Sequence, residues 1–282
     1  MKFSENISVI EDECFSGCIK LSGLSIPEGC IGIGRSAFEG CSAITAVRFP
    51  AEARIVDPRA FANCPAVSIV VFNEKIKQIA DDVFAGDFGI KSVSVPKNLT
   101  RAACELFRHQ DSLADDNGFL IINDVFVHYF GDGKEVTVPD RIRAIDDGAF
   151  AENTVIEKVT LPGTVERIGL ASFGACASLK GINFPEGLIS IGSFAFAYCL
   201  NLKEAILPDS LVRIGRGGFE GCSALETLSL GENLAEIGRQ AFTGCDRIAD
   251  SAQADIIRSI APDAFFGSAV STEPEPAEGG ED

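Results

Sequence analysis

Ten cysteines, two histidines and a few short acidic runs are the residues of this chain with reactive or metal-binding potential. Cys14 and Cys18 stand in a C-x-x-x-C spacing, which could serve a disulfide or a metal. The run of Asp115, Asp116, Asn117 and Gly118, and the Gly-Asp-Gly at 131–133, could offer oxygens to calcium, but neither has the spacing of a full calcium loop. Arg167, Arg213, Arg216 and Arg239 could hold acidic groups through bidentate hydrogen bonds. His109 and His128 are the available bases near neutral pH, and enzyme chemistry would require a nucleophile beside a base, or paired carboxylates in a cleft.

Spacing decides what the cysteines can do. Phe15, Phe38, Phe61, Phe84, Phe107, Phe150, Phe173, Phe196, Phe219, Phe242 and Phe265 recur every 23 residues, except that Phe107 to Phe150 is 43, one period plus 20. Seven of the ten cysteines (Cys18, Cys41, Cys64, Cys176, Cys199, Cys222 and Cys245) lie three positions after such a phenylalanine. In a repeat array, residues of equal offset form one column, each one coil from the next. A line of single thiols with no His or acid recurring beside it does not converge as metal ligands must. The expectation is therefore structural, reduced thiols, with no metal and no cofactor, in a reducing or anaerobic setting. No glycine-rich phosphate loop of the Walker kind is present and the cysteine columns should be buried, so no enzyme activity is expected.

The other columns say what positions these residues. Small apolar residues precede the marker, as at Ala37, Ala60, Ala149, Ala195 and Ala241, and aliphatics follow six positions after it. Apolar residues at offsets +9 and +11, such as Val47 and Phe49, alternate with polar ones, which marks a short strand with one face buried. Proline then turns the chain at Pro27, Pro50, Pro96, Pro162, Pro185 and Pro208. A second short extended piece follows, as at Leu188 and Ile191, and then a glycine (Gly34, Gly169, Gly192, Gly215 or Gly238) that suits a corner of positive φ. The stretch around the marker is long enough for one helical or 3₁₀ turn.

This phrase, I-G-x-x-A-F-x-x-C-x-x-L-x-x-I-x-I-P, resembles the BspA-like class of leucine-rich repeats over about residues 7–267. Departures fall at Asp57, Asn73, Asp87, Gln110 and Gly231, where Gly, Pro or Cys is replaced. The fold class so identified is a repeat solenoid, a leucine-rich-repeat-like right-handed superhelix of about eleven 23-residue coils, with short parallel strands, short helical turns and one inserted β-hairpin. A single solenoid over 1–270 is expected, with the insert at 114–140. The resemblance implies a cell-surface or secreted protein that binds or adheres.

The net charge is −17, which argues against nucleic acid as a partner. Five acidic residues and no basic one occupy 271–282, where a disordered tail is expected. No apolar run is long enough to span a membrane. Neither a basic n-region nor an apolar h-region opens the chain, so no secretory signal is expected in it and a cytoplasmic place stays open. Within the insert, "FLII" and "VFVHYF" flank Asn123 and Asp124 and predict a hairpin with a two-residue turn. Phe119, Ile121, Phe126 and Phe130 would lie on the core with His128 toward solvent. The recognition alternative is a surface of Asp115, Asp116, Asn117, His128 and Tyr129, with the stripe of Arg167, Arg213, Arg216 and Arg239 as a second candidate. The function expected is a non-catalytic module presenting an extended surface, including the exposed strand positions, to a protein or glycan ligand. Its alternatives are a spacer within a larger surface protein and an intracellular scaffold. A monomer is expected, with end-to-end association left open.

Overall fold

The computed structural model describes residues 3–267, and the acidic tail at 271–282 lies outside them. The chain forms two compact units, Met1–Asn123 and Asp124–Asp282. Each is a stack of coils held by parallel strands of two to five residues, so the 23-residue period is also the hydrogen-bond register.

In the first unit one ladder runs Val9–Ile10, Gly32–Ile33, Ile55–Val56 and Gln78–Ile79, in that order. A second runs Ala46–Arg48, Ile69–Val71 and Ser92–Ser94. The coil ending on Phe107 is different: its ladder rung is replaced by helix α1, Thr100–Phe107. Ala103 stands there at the offset that holds glycine in five other coils, and Ala103, Cys104 and Phe107 form the buried face of the helix.

In the second unit one ladder runs Val125–Tyr129, Ala144–Ile145, Arg167–Ile168, Ser190–Ile191, Arg213–Ile214 and Glu236–Ile237. The other side carries Glu135–Thr137, Lys158–Thr160 and Gly181–Ile182, and then Glu204–Ile206 and Thr227–Ser229. Helix α2, Ala252–Ile260, lies in the coil that ends on Phe265, and its first turn is capped by the Ser251 hydroxyl, which accepts from the Ala254 N–H at 3.3 Å.

The marker phenylalanines stack as equal offsets require. In the first unit, Phe38 lies 5.3 Å from Phe15 and 5.1 Å from Phe61, nearly parallel to both. In the second, the steps from Phe150 through Phe173, Phe196 and Phe219 to Phe242 are 4.8 to 5.5 Å, within the range of offset-stacked rings. All of these rings except Phe15 are at most 1% exposed.

The stretch around each marker keeps the i→i+3 bonds of a tight turn but alternates them with bonds to the next coil. Glu39 N–H donates to Ser36 O and Cys41 N–H to Phe38 O, while Phe38 N–H reaches Ala60 O at 2.8 Å and Gly40 N–H reaches Ala62 O at 2.9 Å. A continuous helical turn would point successive N–H groups one way. Left-handed residues on both sides of the marker, such as Ser36 (φ 51°) and Gly40 (φ 71°), let them alternate.

The glycines before the marker are a correction to the sequence reading. Gly34, Gly169, Gly192, Gly215 and Gly238 do not have positive φ. Each is pressed against the coil before it: a Cβ on Gly192 would lie 2.5 Å from the carbonyl carbon of Gly169, and one on Gly238 would lie 2.6 Å from that of Gly215. In these five coils backbone meets backbone at the glycine, while Asp57, Ala80 and Asp146 hold the same offset with a side chain.

The insert is a second finding. Strands Phe119–Ile122 and Val125–Tyr129 flank the turn at Asn123 and Asp124, with Asn123 left-handed (φ 56°) as such turns favour. Leu120, Ile122, Phe126, Val127 and Tyr129 are buried, while Phe119, Ile121, His128 and Phe130 are intermediate. Val125 and Phe126 pair in parallel with Ala144 and Ile145, and Tyr129 N–H donates to Ala149 O as Phe38 N–H does to Ala60 O. Tyr129 thus holds the marker position of a coil, 22 residues after Phe107 and 21 before Phe150. Its ring lies 5.6 Å from Phe150. Its hydroxyl accepts from Gly133 N–H at 2.9 Å, and a Cβ on Gly131 would strike the ring at 2.6 Å. The Gly-Asp-Gly run therefore wraps a phenol.

The column thiols share one geometry. Cys41, Cys64, Cys176, Cys199, Cys222 and Cys245 each donate to the marker carbonyl 26 residues earlier, at 3.0 to 3.2 Å. That carbonyl also accepts the backbone N–H of the cysteine in its own coil, so Phe38 O takes Cys41 N–H at 3.2 Å and Cys64 Sγ at 3.1 Å. Burial pushes the Cys64 and Cys176 thiols up to about 12, and Cys199 well above its ordinary value. Cys14 and Cys18, in the first coil, are exposed. Thiol reagents are expected to modify Cys14 and Cys18 in the native protein and the six column cysteines only after unfolding, since the thiolate is the reacting form. Thiol counts before and after denaturant check this, and fast native labelling of Cys199 would contradict the packing of the column.

Candidate binding surface

In the second unit, offsets −6 and −3 from the marker make two rows across successive coils. Arg167, Ser190, Arg213 and Glu236 form the first, each in strand register with the next. Leu170, Ser193, Arg216 and Arg239 form the second. The glycine column lies between the rows and has no side chains to fill the space. Gly192, Gly215 and Gly238 accordingly floor a groove of 580 Å³ that Ser193, Arg213, Arg216, Glu236 and Ile260 also line.

The four arginines are engaged differently. Arg167 lies 3.7 Å from Asp147 and 4.0 Å from Asp146. Arg216 donates to the Gln240 side-chain oxygen at 3.1 Å, with its guanidinium 6.0 Å from the Phe194 ring. Arg239 lies 5.3 Å over Phe266. Arg213 stands one register step from Glu236. The structure therefore brings Arg213 and Arg216 into one groove, while Arg167 is held by aspartates and Arg239 by an aromatic ring.

Two residues missed in the sequence flank the same coil. Phe194 (φ 55°) and Tyr198 (φ 60°) are left-handed, at the offsets that hold Ser36 and Gly217, or Gly40 and Gly221, in other coils. Such a backbone costs a bulky L-residue about 1–2 kcal/mol. Gly217 and Gly221 of the next coil make room for the rings, since a Cβ would meet Phe194 at 2.5 Å or Tyr198 at 2.7 Å. Tyr198 is 53% exposed and its hydroxyl donates to Glu220 at 3.1 Å, the carboxylate raising the phenol's pKa. An aromatic in each of two columns otherwise filled by small, polar or charged residues was the available signal.

The residues expected of the insert fall in different units. In the first, Asp115 ties its own turn, accepting from Asn117 N–H at 2.9 Å and Phe119 N–H at 3.0 Å, while Asp116 and Asn117 are exposed. In the second, the His128 ring packs 4.6 Å from Phe130, and Tyr129 is core. Asn183, at an exposed position, also stitches one coil to the next by bonds to both N–H and C=O of Leu161. Among the described residues, no group of three His, Cys, Asp or Glu side chains could hold a metal, and no helix is long and apolar enough to cross a membrane.

A family model described as "BspA type Leucine rich repeat region" matches in six copies, over residues 1–114 and 143–271. No curated protein matches the chain. Among solved structures it is similar to a leucine-rich repeat protein from Bacteroides ovatus, with 19% identity and a TM-score of 0.46 over 88% of this chain and 70% of that one. The pneumococcal vaccine antigen PcpA gives 24% and 0.43, over 82% of this chain and 57% of that one, so the chain spans little more than half of that antigen. A leucine-rich cell surface protein from Faecalibacterium prausnitzii gives 20% and 0.47, over 85% and 81%. The family model covers well over half of the residues, and the chain belongs to the BspA-type leucine-rich repeat proteins.

Proposed function

We propose that this protein is a non-catalytic binding module that takes a protein ligand on the groove of Arg213 and Arg216 and the adjoining rim of Phe194 and Tyr198. The observation that carries this reading is the pair of aromatics held in left-handed backbone beside two arginines. The fold takes left-handed backbone at these two offsets with other residues too, as at Arg59, Ala175 and Gln240, so it is the choice of aromatics there that folding does not ask for, and tyrosine and arginine are among the side chains enriched at interface hot spots. Arg213 and Arg216 also suit carboxylates of a partner, in a chain whose net charge is −17. A place at the cell surface or outside the cell belongs to the same proposal.

The test is a protein array and a glycan array probed with the full chain and with the Arg213→Ala/Arg216→Ala/Tyr198→Ala variant. Binding to the best protein hit should weaken by at least about 2 kcal/mol, or roughly 30-fold, with the unfolding midpoint nearly unchanged. Protein binding that survives the triple change in a folded variant would move the site elsewhere. Hits confined to glycans would refute the choice of ligand.

A further inference from the structure

Asp87 stands where the thiol column would place cysteine, three residues after Phe84. It is wholly buried. Where the column is intact, the side chain at this offset gives a hydrogen to the marker carbonyl 26 residues earlier. For Asp87 the corresponding acceptor is the carbonyl of Phe61.

The surrounding bonds are rearranged to suit an acceptor. In other coils the cysteine N–H donates to the marker carbonyl of its own coil, as Cys41 N–H does to Phe38 O at 3.2 Å. Cys64 N–H instead donates to Asp87 Oδ1 at 2.5 Å, and no described donor takes its place at Phe61 O. Asp87 Oδ2 is buried without a hydrogen-bond partner, and so is Oε1 of Gln110, the residue at the same offset one coil on. Gln110 spends its side-chain N–H on the Asp87 backbone carbonyl. An ionised Asp87 would therefore place a charge in a buried site where the Cys64 N–H is its one described donor and Oδ2 has none, an arrangement that costs several kcal/mol per uncompensated ion.

We propose that the folded protein carries Asp87 as the neutral acid, with the Oδ2 hydrogen taking the part of the thiol hydrogen toward the Phe61 carbonyl, so that the first unit loses stability as this proton is removed. From the coil before, the titratable group facing Asp87 is Cys64. From the coil after comes neutral Gln110, whose neighbours His109 and Asp111 are exposed. Burial raises the Asp87 carboxyl to about 7, against the opposing Cys64 N–H. The unfolded chain ionises near 4. The folded state thus binds the proton more tightly: its stabilising effect is complete below about pH 4, declines as pH rises, and is lost once pH has passed about 7.

The test follows urea unfolding of the full chain by circular dichroism from about pH 5.5 to 8.5, for wild type, Asp87→Asn and Asp87→Cys. The wild-type folding constant should fall by up to about tenfold per pH unit in the lower part of this range and level off above it. Asp87→Asn keeps a hydrogen donor without titrating, and Asp87→Cys restores the column, so both should lack that decline. Parallel profiles for all three would overturn the proposal. Infrared spectroscopy gives a readout that needs no variant stability: at about pH 6 the wild type should show a protonated carboxyl stretch that shifts with ¹³C-aspartate labelling, and its absence would equally overturn the proposal.

Discussion

Truncating Phe196 to alanine is expected to destabilise the second unit by about 3–5 kcal/mol, the range for removing a buried aromatic ring. Phe196 is fully buried between Phe173 and Phe219, at 5.1 Å from each, with Phe184 edge-on at 5.4 Å. The coils on both sides are fixed by their own ladders, so the space cannot collapse around the missing ring. Phe88→Ala is the control, because that ring is 70% exposed. Denaturant midpoints compare the two, and a small shift at Phe196 would mean that the stack is not what holds the coils together.

Gly215→Ala is expected to cost more than the roughly 1–3 kcal/mol typical of overpacking against side chains. The added methyl would sit 2.7 Å from the carbonyl carbon of Gly192 and closer still to Ser193 N. Neither can rotate away, since both are backbone atoms of a neighbouring coil in strand register. The inter-coil bonds of that rung must break or the coil must move. Gly163→Ala, with nothing within 4 Å of the new carbon, should be close to neutral. Equal unfolding midpoints for the two variants would contradict the close approach.

The period carried the architecture because one offset is one column, and the ladders, the ring stack and the thiol line all follow from it. What it could not separate was two reasons for glycine. A corner of positive φ and a backbone lying against another backbone both ask for a missing Cβ, and the distance between coils, which no single repeat contains, decides between them. Tyr129 was hidden for a related cause: it is not phenylalanine, and the coils on either side of it are 22 and 21 residues long, so a fixed-period count steps over it. The family model likewise passes over 115–142. Among the arginines, the shared row was legible. Which of them would be absorbed by Asp147 or Phe266 depended on residues one coil away.

The shortness of the strands bears on what happens when the chain is pulled. Within either unit, successive coils are joined by rungs of mostly two or three residues, and their hydrogen bonds run along the stacking direction. A tension applied to the ends of a unit loads these rungs one after another, whereas strands lying along the force share it in shear. The terminal rung, supported on one side only, yields first and frees its coil while the ring stack behind it stays shut. A segment built this way would lengthen under load in single-coil steps and rewind in the same steps.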